Sequence, residues 1–251
     1  MRPRLKAFLL HLLGSATVVT LILAGLYIGW YRWPGWYLTG AVKIAMILAG
    51  VDVVLGPIVT FLIASPGKLP RVLARDVACI VLVQLGAMGY GATTLWKGRP
   101  LYYAFSVDRL ELVQASDLTA EDVALARQHN PDLAPYWYSL PRFVWAPLPD
   151  DPKVRDEIVR TAVFGGKDVI QMPRYFKPWS QGVPELRAAL KTPDRLPPLV
   201  TRAQKDAAKA RLGELGIPAD RPVTLLMTGR GFALVTVFDD RASVKAVLGP
   251  T

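Results

Sequence analysis

The chain has 251 residues, is 52% apolar and 20% charged, and carries a formal net charge of +10, which suits one large domain or two small ones. The charge is uneven: Asp52 and Asp76 are the only two of the 20 acids before Lys97, whereas eight of the 30 lysines and arginines lie there. Cations beside apolar runs, followed by a nearly balanced remainder, argue against a nucleic-acid binder, which would concentrate Lys and Arg in its soluble part; the single cysteine, Cys79, excludes an intrachain disulfide.

Residues 8–31 form the first apolar run, with no formal charge and one histidine, His11. Its length matches a hydrocarbon core of roughly 30 Å at 1.5 Å per helical residue. The run is too long for a signal-peptide core and ends in bulky aromatics instead of a small-residue cleavage site, so a retained helix is expected. A second run, 44–64, is interrupted by Asp52 and Pro57, and a third, 77–95, contains Gln84. Tyr31, Trp33, Trp36 and Tyr37 between the first two runs, and Trp96 after the third, suit the headgroup level. Arg2, Arg4, Lys6, Lys68, Arg71 and Arg75 outnumber Lys97 and Arg99. The positive-inside rule therefore predicts a cytoplasmic N-terminus and an extracytoplasmic C-terminal portion.

That portion opens with a predicted hairpin, 101–106 and 109–114, joined by Val107-Asp108. A helix is predicted over 116–128, capped by Ser116 or Asp117. Six prolines between 130 and 152 point to packed loop without long regular elements. Further helices are predicted over 156–164, 184–190 and 201–215, the last closed by Gly216. Strands over 223–227, 232–238 and 243–248 complete a meander. The expected fold is a three-helix transmembrane domain over 1–97 followed by a C-terminal α+β extracytoplasmic domain over 98–251.

Asp52 is the sharpest feature, because an acid at the centre of a membrane helix costs roughly 2.5–3.5 kcal/mol on insertion scales. Gln84, Thr17, Thr20 or a donor from an outside partner would offset that cost. Two readings stand open: a recognition or coupling site, and a packing acid that holds the three helices together. Gly56-Pro57, one turn on, breaks the helical bonding and kinks the helix, either as ordinary bending or as the wall of a cavity. Gly25 and Gly29 have the GxxxG spacing that permits close helix approach. Gly86, Gly89 and Gly91 lie in an apolar span without a preceding strand, which excludes a dinucleotide loop. His11 and His129 have no metal-ligand spacing, and Ser139 and Ser180 lack a nucleophile-elbow context. No enzyme, metal or cofactor is expected. A small transporter built on Asp52 and a ligand-sensing membrane protein are the alternatives from other classes.

Asp-Val-Val-Leu-Gly-Pro at 52–57, Arg75-Asp76, and the segment from Gln84 to Gly91 occur in a recognisable order. They are followed by Gly98-Arg99-Pro100-Leu101-Tyr102 and then Phe105-Ser106-Val107-Asp108-Arg109. Over residues 45–115 this order resembles the TfpX/TfpZ family of type IV pilin accessory proteins. Gly165-Gly166-Lys167-Asp168 and Pro173-Arg174-Tyr175 match more loosely. The resemblance implies a multi-pass bacterial inner-membrane protein with a periplasmic domain, chaperone-like towards a type IV pilin subunit. The lipid bilayer is its medium and nucleic acid is no partner. The expected partner-binding residues are Asp52, Gly56, Pro57, Gln84, Gly25 and Gly29 in the membrane, and Tyr102, Phe105, Asp108 and Arg109 in the hairpin.

Overall fold

The computed structural model describes residues 3–64, 67 and 69–250, and the chain divides into two compact units, Met1–Gly98 and Arg99–Thr251. Arg2 and Lys68, two of the cations used to predict orientation, lie outside the described residues.

Among the described residues, the first unit contains three helices long and apolar enough to cross a membrane, Arg4–Tyr31, Ala41–Ile63 and Arg71–Lys97. The first consists of α1 (Pro3–Leu26) and one π-helical turn, Tyr27–Tyr31. A short helix, α2 (Gly35–Leu38), occupies what the sequence suggested was a plain loop. The second spans α3 (Ala41–Ala49), a π-helical segment Gly50–Leu55, and α4 (Gly56–Ile63). The third is α5 (Pro70–Lys97). The second lies between the other two: α1 packs on α4, and α5 packs on α3 and α4. Val19, Leu48 and Met88 meet in one core cluster, and Tyr31, Ala41 and Leu95 in another. The buried Tyr31 hydroxyl donates to the Leu95 carbonyl at 2.6 Å. At the far end, Arg4 Nε donates at 2.8 Å to the carbonyl of Ala64, just after α4, where helix ends leave carbonyls unpaired.

The second unit is built on a seven-stranded mixed sheet. Its strands are β1 (Pro100–Ser106), β2 (Arg109–Gln114), β3 (Arg142–Trp145), β4 (Lys177–Pro178), β5 (Thr224–Gly229), β6 (Phe232–Phe238) and β7 (Val244–Leu248). Their order is β4-β3-β1-β2-β5-β6-β7. The predicted hairpin is β1–β2, and the predicted meander is β5–β6–β7. A parallel pairing of β2 with β5 fuses them. β1 is buried along its whole length, as its unbroken apolar run requires of a strand covered on both faces. Tyr102 and Ala104 face a core with Ile158, Val169 and Phe176. Tyr103 stacks on Phe143 and Phe105 meets Trp179.

The helices of this unit are α6 (Ala120–His129), α7 (Pro152–Val163), α8 (Val183–Ala189) and α9 (Arg202–Glu214), and α9 packs on β6 and β7. The cap of α6 is Thr119, not Ser116 or Asp117. Asp117 closes a separate 3-10 turn, whereas Thr119 and Asp122 exchange the reciprocal bonds of a capping box. α7 begins earlier than its apolar pattern indicated, because Asp151 caps it and Pro152 fits the first turn. The proline-rich stretch also contains β3, whose four residues are flanked by Pro141 and Pro147.

Candidate functional site

His11, Asp52, Thr60 and Gln84 of the helical unit gather around the π-helical segment. There Gly56 N–H bonds the Val51 carbonyl, five residues back. In the same register the carbonyl of Asp52 would bond the N–H of residue 57, and proline has none. Gln84 of α5 fills the vacancy: its Nε2 donates to the Asp52 carbonyl at 3.1 Å. That bond sets the amide orientation and turns Oε1 towards His11 Nε2, 2.7 Å away. Because Oε1 only accepts, Nε2 carries the proton. In the neutral imidazole Nδ1 then accepts from the Thr60 hydroxyl at 2.6 Å. A Cβ at Gly56 would clash with Gln84 Nε2, so glycine makes room for the amide.

The sequence-predicted Asp52, Gly56, Pro57 and Gln84 are therefore neighbours. Asp52, 1% exposed, is bonded through its backbone only, and neither carboxylate oxygen has a hydrogen-bond partner among the described residues. Thr17 bonds the Leu13 carbonyl and, like Thr20, faces outward, so neither offsets the buried acid. Sequence reasoning missed His11 and Thr60 as members of this network. The one signal for His11 was a lone histidine in an otherwise apolar helix. Gly25 and Gly29 stand apart from the network. A Cβ at either would meet nothing within 4 Å, so they form no close helix contact inside the chain.

In the α+β unit, Tyr102 and Phe105, expected as contact residues, lie in the core with about 1% exposure. The Tyr102 hydroxyl donates to the Leu133 carbonyl at 2.6 Å. Burial pushes its phenol up to about 12 against the pull of Arg142. Asp108 and Arg109 remain on the surface. Arg109 pairs with Glu111 at 3.0 Å, Asp108 at 3.6 Å and Asp168 at 3.8 Å. Burial opposes its charge, and these carboxylates, Glu111 foremost, more than offset it and raise its pKa.

The Gly165-Gly166-Lys167-Asp168 segment bridges two elements. Asp168 faces Arg109 of the hairpin, and Lys167 pairs with Asp122 of α6 at 2.6 Å. Burial works to raise the Asp122 carboxyl, but hydrogen bonds from Lys167 and Thr119 outweigh it and hold the group below the usual carboxylate range. At the β1–β2 turn Val107 has φ of 54° and is 70% exposed.

No family model and no solved structure matches the chain. Three curated fimbrial assembly proteins of Dichelobacter nodosus are similar to it. The serogroup I protein is 27% identical over 186 residues, covering 72% of this chain and 69% of that protein. The serogroup E1 protein is 28% identical over 179 residues, covering 69% and 66%. The protein of serogroups C1 and C2 is 28% identical over 117 residues, covering 47% and 89%.

Proposed function

We propose that the chain is an inner-membrane accessory protein that assists assembly of a type IV pilin subunit, the role implied by its resemblance to the TfpX/TfpZ family. The observation that carries this reading is its similarity to proteins named for fimbrial assembly over about 70% of its length. Three spans with Arg4, Lys6, Arg71 and Arg75 at one end favour a cytoplasmic N-terminus and a periplasmic α+β unit. A subunit held in the inner membrane presents both an embedded helix and an external head. A helper with a bundle and an external unit touches both, and the second contact gains from the effective concentration set by the first. The role is non-enzymatic: holding and positioning a client.

Deleting the gene tests this reading. The expected result is a loss of surface pili, restored by the wild-type chain, with the pilin co-purifying with the tagged chain. Unchanged pilus number and absence of pilin from the purified material would refute it. A small ion-coupled transporter is the second reading, favoured by the buried, unpartnered Asp52. Proton flux in vesicles that vanishes in Asp52→Asn would favour it over the first.

A further inference from the structure

α1 and α5 flank the second span and meet through the His11–Gln84 bond, and around that bond the space between them is a groove of about 770 Å³. Its α1 wall uses positions 7, 10, 11, 14, 15 and 18, the spacing of one helix face. Its α5 wall runs from residue 73 to 88 in the same periodicity. At 1.5 Å per residue these walls are roughly 16 Å and 22 Å long. They are mostly apolar, with Gly14, Ser15, Ala74 and Ala78 low enough for another backbone to approach closely. Asp52 lines the same groove, almost fully buried and with both carboxylate oxygens lacking a donor.

We propose that this groove seats a transmembrane helix of the client, and that the helix carries a hydrogen-bond donor opposite Asp52. The inference deepens the pilus-assembly reading and rests on it for the client's identity. A helix satisfies its own backbone in lipid and can enter an apolar groove with only side chains to match. An acyl chain would wet the same walls but bring no donor to the carboxylate. A hydroxyl, amide or amine on a passing helix supplies one, and supplies it at a single register, so that the acid selects the client's depth as well as its identity.

The test places a photoactivatable residue at Val81, in the groove, or at Val83, on another face of α5 and 74% exposed, in the full chain in living cells. Mass spectrometry identifies the adducts. The expected result is an adduct with the hydrophobic segment of the pilin from Val81 and none from Val83. It is lost in Asp52→Leu and kept in Asp52→Asn, which retains an acceptor. Gly14→Leu provides an independent check: Gly14 lines the groove and a Cβ there meets nothing within 4 Å of the chain itself, so the added side chain starts into open space, and this variant too is expected to lose the adduct. The amount of chain in the membrane fraction controls for folding. Adducts with lipid alone, adducts only between copies of this chain, or a pilin adduct indifferent to Asp52→Leu would overturn the proposal. Deletion of the gene separates the two levels. If deletion lowers pilus number but Val81 captures no helix, the groove assignment fails and the assembly role stands. If deletion leaves pili unchanged while Val81 captures an identified helix of another membrane protein in an Asp52-dependent way, the groove stands and the pilin reading fails.

Discussion

Adding one methyl group at Gly56 would drive a carbon into Gln84 Nε2 and displace the amide from the Asp52 carbonyl and from His11. Overpacking of this kind costs about 1–3 kcal/mol. Gly56→Ala is therefore predicted to lower the thermal stability of the full chain in detergent. Combined with Gln84→Ala it should cost less than the sum of the single changes, because the clashing group is gone; strictly additive losses would show that the two residues are not coupled. Tyr102 gives a second prediction. Its phenol is held near 12 by burial, whereas an unfolded tyrosine titrates near 10. The native state then binds the extra proton between those values. Stability is complete below about pH 10 and falls as pH rises towards 12, by on the order of 2 kcal/mol. Tyr102→Phe should lack this part of the alkaline loss while losing about 1 kcal/mol at neutral pH with its bond to Leu133. An alkaline unfolding curve identical in the two proteins would contradict it. At this scale the sequence identified Asp52, Gly56, Pro57 and Gln84, since an acid, a proline and an amide are conspicuous among apolar residues. His11 and Thr60 were not legible as their partners, because His11 lies 73 positions from Gln84 and 49 from Thr60 and no local pattern encodes that pairing.

The π-helical segment and the β1–β2 hairpin are the two elements whose local chemistry departs from the ordinary. Pro57 leaves the Asp52 carbonyl without a backbone partner, and Gln84 replaces it from another helix. In the hairpin, Val107 holds a left-handed backbone that β-branched residues avoid at a cost of about 1–2 kcal/mol. Val107→Asn is predicted to raise stability by roughly 1 kcal/mol, a few degrees in Tm for a chain of this size. A fall in Tm would show that the valine side chain makes a stabilising contact which outweighs the backbone strain. At the start of α6, Thr119→Ala should cost about 1 kcal/mol, as loss of an N-cap does. No change in Tm there would mean that Asp122 and Lys167 hold the turn unaided. Hairpin, meander and apolar helices were readable because each is encoded by neighbouring residues. The cap of α6 was misread: Ser116, Asp117 and Thr119 all offer the right oxygen, and only the reciprocal bond to Asp122 selects among them. β3 was missed because flanking prolines mask a strand of four residues that gains its order from β1.

On the scale of the whole molecule, the sequence conveyed three apolar helices and a mixed unit, but not the single sheet that joins both ends of that unit. Arg109–Glu111 pairs in parallel with Leu226–Thr228, more than a hundred residues away, and a strand's pattern records its own faces, not its neighbour. The groove between α1 and α5 was equally hidden, since each wall is an unremarkable apolar face until the second span sets them apart. In the proposed role, the helical unit would receive a client helix beside Asp52 while the α+β unit attends to the client's head. The measurement that tests it most directly is pilus number per cell, counted by electron microscopy, in a deletion strain carrying no copy, the wild-type chain, or Gly14→Leu. Few pili without the chain, restoration by the wild type, and failure of Gly14→Leu at normal membrane levels are the predicted results. A deletion strain as piliated as its parent would contradict the account at its centre.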